Sequence, residues 1–145
     1  MDCNGYRLPT ESEWEWMARS GASTAFINAT PITSTDCDDS GLETLGWYCG
    51  NGEGQTQPTG QLQANGSGLF DVLGNVGEWV WDVYGFYPID PVTDPLGPED
   101  GPTRVWRGGA WDQHAAQCRL ARRHESAPNV RSSRIGLRPV RTLLR

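Results

Sequence analysis

Trp14, Met17 and Ala18 recur at the i, i+3, i+4 spacing of a single helix face, inside a segment that reads GYRLPTESEWEWMARS from Gly5 to Ser20. The start signals are all present. Thr10 is a good N-cap, Glu13 three residues on completes a capping box, and the first-turn acids suit the positive end of the helix dipole. Leu8 and Trp14 stand at the two positions of a hydrophobic staple. Arg19 and then Gly21 close the element, so a helix is predicted over about 11–19.

Further along, the period changes. Glu78-Trp79-Val80-Trp81-Asp82-Val83 alternates with period two, which predicts a strand with Trp79, Trp81 and Val83 on one side. The dipeptide Gly74-Asn75 marks the turn before it. Thr103–Arg107, Arg119–Arg123 and Ile135–Val140 read as three more strands, the first ended by Gly108-Gly109. Between helix and first strand, residues 21–66 are rich in Gly, Ser, Thr, Asp and Asn. They read as ordered loop with one short strand near Leu45–Tyr48. So long an irregular stretch needs pins; Trp47 and Tyr48 are candidates, and a metal ion is another. Residues 85–103 are a Pro/Gly-rich loop.

With 145 residues, 37% hydrophobic, 18 Gly and 10 Pro, the composition suits one turn-rich domain with a single core. No apolar run approaches the roughly 18 residues of a membrane span, and no basic start precedes an apolar stretch. The first residues resemble a domain interior, so compartment and oligomeric state stay open.

The net charge of −6 hides a division. Residues 1–103 carry sixteen acids against two arginines, whereas residues 104–145 carry ten arginines against two acids. The chain has no lysine. Arginine without lysine suits planar, bidentate pairing with carboxylates, so the basic segment is expected to pack on the acidic one. Nucleic acid is not expected as a partner. The four cysteines, Cys3, Cys37, Cys49 and Cys118, match no zinc knuckle or CxxC spacing. Cys37 and Cys49 flank a Gly-rich acidic loop and read either as a local disulfide or as ordinary thiols.

Four segments in this order resemble the formylglycine-generating enzyme (sulfatase-modifying factor) family: GYRLPTESEWEWMAR at 5–19, GLFDVLGNVGEW at 68–79, RVWRGGAW at 104–111 and RSSRIGLR at 131–138. The resemblance implies an α+β, C-type lectin-like fold with few regular elements and much ordered loop, spanning 1–145 as a single domain. It also implies that the N-terminal part of the usual family domain is missing. Family enzymes oxidise a substrate cysteine with O₂ at a copper(I) site made by two cysteines. The first of that pair falls two residues after the aromatic of the Gly-Gly turn, where this chain has Gln113. Cys118 is the thiol nearest in sequence, and one thiol makes neither a bis-thiolate site nor a redox pair. No catalytic residues are carried over, and no copper is expected.

What the resemblance does carry over is a structural calcium site: the carboxylates of Asp71 and Glu78 with the carbonyls of Gly74 and Val76, hard oxygens from a flexible loop. Gly77 replaces an aromatic common in the family, which predicts looser packing there. The segment from Trp111 to Val130 also resembles the variable segment of proteins made by diversity-generating retroelements, which display changeable residues on this fold. Candidate ligand-binding residues are Trp106, Trp111, Asp112, Gln113, His114, Gln117, Arg122, His124, Glu125 and Ser126. The leading expectation is a non-catalytic domain that binds a protein or small molecule. The competing reading is a metal-dependent oxidoreductase with a two-His-one-carboxylate iron site, which needs both His114 and His124.

Overall fold

A computed structural model describes residues 5–142. Helix α1 runs Glu11–Arg19, as the local signals predict. The Thr10 side chain accepts from the Glu13 backbone, and the Glu13 side chain accepts from the Thr10 N–H at 2.8 Å. This box contributes about 1 kcal/mol. Ser20, at φ 46°, ends the helix one residue before Gly21. Trp14 and Ala18 are buried, while Met17 is half-buried.

Strands β1 (Tyr6–Arg7) and β6 (Val140–Arg141) pair antiparallel beside the helix. The main sheet has the order β4-β3-β2-β5, built from β2 (Gly77–Val83), β3 (Arg104–Arg107), β4 (His124–Ser126) and β5 (Ile135–Leu137). β2–β3 and β3–β4 are antiparallel, and β2–β5 is parallel. The expected strand at Arg119–Arg123 is instead a turn, since Leu120 drops into the core and pairing with β3 starts only at His124. The expected Ile135–Val140 strand breaks in two around Arg138-Pro139, where the Arg138 side chain turns to Glu78. Leu45–Tyr48 forms no strand; only Trp47 makes an isolated bridge, to Gly74.

β2 alternates as predicted from Glu78 to Asp82, and Val83, on the side of Trp79 and Trp81, is buried as well. Glu78, Val80 and Asp82 are buried, whereas Trp81 is 46% exposed. Long-range partners meet the buried acids. Glu78 accepts from Trp14 Nε1 at 2.7 Å and pairs with Arg138, and Asp82 accepts the Glu11 N–H at 2.7 Å. Burial, with the like charge of Glu11 adding to it, raises the Asp82 pKa.

The long stretch 21–66 is pinned by side chains that stand in for a ladder. Phe26, Ile27, Leu42, Leu45 and Tyr48 are buried. Asp39 accepts from the N–H groups of Thr33, Ser34 and Leu42, and Tyr48 donates to the Asp39 carbonyl. Asn65 donates to the Met17 and Ala18 carbonyls, and Asn51 to those of Glu43 and Gly46. Tyr48 is the pin the sequence suggested. Trp47 is only half-buried.

The acidic and basic segments do pack together. Arg107, fully buried, donates to Glu11 at 2.7 Å, to Glu15 and to the Leu120 carbonyl, and lies over the Trp14 ring. Arg123 donates to both Glu11 oxygens, at 2.7 and 2.8 Å. Breaking a buried pair costs more than the pair contributes, because a charge is stranded. Arg107→Met is therefore expected to lower unfolding free energy by about 3 kcal/mol in urea titrations at neutral pH, with Arg123 still holding Glu11. A loss below about 1 kcal/mol would show the network to be incidental.

Candidate functional site

The site is built on the turn that follows β3. Gly108 and Gly109 take φ of 93° and 78°, which side chains resist, and reverse the chain. Backbone bonds then dock the turn: Gly74 N–H donates to the Gly108 carbonyl, Trp111 N–H to Asn75, and Cys49 N–H to Gln113. Four nominated residues come together here. Trp111 is half-buried and its Nε1 is 3.4 Å from the Ser133 carbonyl. Asp112 pairs with Arg134 at 2.6 Å. Asp112 Oδ1 and Gln113 Oε1 are buried without a protein partner. His114 is exposed, with Nδ1 3.1 Å from Asp36 Oδ1.

The other nominated residues lie elsewhere. Trp106 is buried in β3 and stacks on His124 of β4, with centroids 4.0 Å apart and planes at 11°. Its Nε1 lies 3.2 Å from Ser126 Oγ. Gly77 lies flat against this ring; an added Cβ would meet Trp106 at 2.2 Å. The missing aromatic at position 77 therefore does not loosen the packing as expected, because Trp106 fills the space. His124 Nε2 lies 2.9 Å from the Gln117 carbonyl. Burial pushes its pKa down to about 4, so the ring is neutral at pH 7 and donates that bond. Glu125 is exposed and accepts from Thr103. Arg122 lies in a separate cleft of about 480 Å³ with Arg19, Tyr84, Arg119 and Arg123.

The sequence matches the Sulfatase-modifying factor enzyme 1-like domain over residues 2–143. The chain belongs to this family. It is 33% identical to the formylglycine-generating enzyme of Streptomyces coelicolor over 92% of this chain and 46% of that protein. Among solved structures, Treponema denticola variable protein 1 superposes with a TM-score of 0.83 at 35% identity, covering 95% of this chain and 48% of that one. PvdO from Pseudomonas aeruginosa gives a TM-score of 0.76 at 30% identity, covering 95% and 53%. The chain thus spans about half the length of these relatives. Its fold is the family's α+β, C-type lectin-like arrangement, with one helix, short strands and much ordered loop.

Cys118 packs against Gly109, beneath the turn. It is a core residue, and burial pushes its thiol up to about 12. Two further sulfurs approach the turn from far upstream. Cys37 and Cys49 form a disulfide, with Cys37 Sγ 3.4 Å and Cys49 Sγ 3.9 Å from His114 Nδ1. No sequence signal joined these cysteines to His114, because the contact spans 65 and 77 residues. Cys3 lies outside the described residues. Among those described, no cluster of metal-ligating side chains contains both histidines, so the two-histidine iron triad is not assembled.

The calcium donors fit a cation on one side only. Asp71 Oδ1 is buried without a partner, as a metal ligand would be, and Oδ2 accepts the Gly60 N–H. Glu78 already has a cation: Arg138 donates to both of its oxygens at 2.7–3.0 Å. A further cleft of about 890 Å³, walled by Trp16, Phe86, Tyr87, Leu96 and Arg123, lies beside the 85–103 loop, which the sequence showed only as a Pro/Gly-rich loop.

The His124 pKa falls from 6.5 unfolded to about 4 folded. Its contribution is therefore complete above pH 6.5 and is lost as pH falls from there toward 4. Up to about 3 kcal/mol is at stake. His124→Phe, which keeps a ring against Trp106, is expected to flatten the unfolding-stability profile over that window. A profile parallel to the parent's would remove the assignment.

Proposed function

We propose that this chain is a non-catalytic binding or display domain on the sulfatase-modifying factor scaffold. It engages a protein or small-molecule ligand through Trp111, Asp112, Gln113 and His114, together with Ser133 and Arg134 beside them. The observation that carries this reading is the division of labour around the turn. Glycine dihedrals and backbone hydrogen bonds hold residues 108–113, while none of the side chains of 112–114 is among the buried residues of the hydrophobic core. Asp112 Oδ1 and Gln113 Oε1 are buried without protein partners, and both residues remain partly exposed, so a ligand that draws these side chains outward satisfies them. The likeness to a variable protein supports a display role. Trp106, Gln117, His124 and Ser126 serve this surface as scaffold; Arg122 and Glu125 lie outside its centre.

The combined change Asp112→Ala, Gln113→Ala, His114→Ala is expected to cost under about 1 kcal/mol of unfolding free energy, because it removes two buried oxygens that no protein group satisfies. A cost above about 3 kcal/mol would make them structural and end the display reading. Supplied with copper(I) and a cysteine-containing peptide, the chain is expected to form no aldehyde. Aldehyde above a copper-free control would replace this reading with the oxidoreductase one.

Calcium enters the proposal as a structural support on Asp71 and the Gly74 and Val76 carbonyls. Glu78 joins this set only by sharing its carboxylate with Arg138. Thermal unfolding is expected at a lower temperature with chelator than with millimolar Ca²⁺. Identical curves would withdraw the ion.

A further inference from the structure

The geometry points to a metal site that the disulfide conceals: once reduced, Cys37 and Cys49 bind a thiophilic divalent cation, zinc(II), together with His114 Nδ1. These three are the described side chains whose ligand atoms cluster, all lying within 4.8 Å of one another. A tetrahedral zinc ion with metal–sulfur bonds of about 2.3 Å and a metal–nitrogen bond of about 2.0 Å sets nitrogen–sulfur separations near 3.5 Å and a sulfur–sulfur separation near 3.8 Å. The nitrogen–sulfur distances are already 3.4 and 3.9 Å. Only the two sulfurs must part, and they are free to once the bond between them is cut, because Cys37 is exposed and Cys49 half-buried.

The backbone keeps the ligands together without the disulfide. Ala115 and Ala116 N–H groups donate to the Asp36 and Thr35 carbonyls, at 3.1 and 3.4 Å, fixing the chain before Cys37 to the chain after His114. Cys49 N–H donates to the Gln113 carbonyl at 3.1 Å. Two thiolates and an imidazole suit zinc and leave its fourth position to water. Asp36 Oδ1 is within reach of that position, since it contacts Nδ1 at 3.1 Å.

The chemistry balances with a dithiol reductant. It delivers two electrons and two protons to the Cys37–Cys49 bond, which breaks to two thiols, while the reductant closes its own disulfide. Zinc then displaces both thiol protons to solvent and takes the Nδ1 lone pair of neutral His114.

The test uses the full chain carrying Cys3→Ser, reduced and desalted without oxygen, and titrated with zinc against a chromophoric chelator. One zinc per chain is expected in the reduced protein and none in the oxidised protein. His114→Ala should weaken binding at least about tenfold, and Cys37→Ser should abolish it. Cobalt(II) in place of zinc should give thiolate charge-transfer absorption and the visible bands of a tetrahedral site. Tryptophan fluorescence follows the fold throughout. If reduction unfolds the chain, zinc should refold it, because binding is then coupled to folding. Zinc uptake equal in both redox states, unchanged affinity in His114→Ala, or a reduced chain that neither binds nor refolds with zinc would each overturn the site.

Discussion

The structure depends on burying the Arg107 guanidinium. It sits with no exposed surface between helix α1 and the main sheet, and its charge is met by Glu11 and Glu15 from the helix. Glu11 is itself shared with Arg123 and accepts the Tyr87 hydroxyl. Such a cluster adds little net stability over a hydrophobic one of similar shape. What it adds is registration. Another docking of the helix would leave these charges stranded in the core, so the cluster favours this one. Arg107, Arg123 and Arg138 of the basic segment thus clasp acids of the acidic one.

Legibility followed the range of the interactions. Helix α1 was readable to the residue at its start because Thr10, Glu13 and the apolar stripe lie within one short segment. The period of β2 was readable too, but its inward side was not. Alternation put Trp79, Trp81 and Val83 on one side without saying which side faces in; Glu78 and Asp82 go in because Trp14, Arg138 and the Glu11 N–H await them. Those partners are at least 60 residues away and leave no local trace. Arg119–Arg123 was expected as a strand, but only a neighbour makes one, and β3 offers its edge to His124–Ser126.

The candidate site divides by the same rule. The Gly-Gly-Ala-Trp turn and the polar run behind it were visible as a unit, and Trp111 to His114 form one surface. Linear reading made Trp106, His124 and Ser126 part of that patch by proximity in sequence; the sheet instead stacks them together beneath Gly77. Proximity in sequence also singled out Cys118, which is sealed in the core, and passed over Cys37 and Cys49, which the fold carries to His114.

The polar ties of residues 21–75 have a consequence for how this fold can change. Asp39, Asn51, Asn65 and Asn75 each hold the chain at a point, through a side chain that accepts or donates to backbone. A ladder ties every residue to a register, so one inserted residue shifts all that follow. Point ties impose no register on what lies between them, and lengthening an intervening loop costs only slowly growing closure entropy. The irregular half of the molecule is thus tolerant of insertion and deletion, while the sheet that carries the Trp111 turn keeps its geometry.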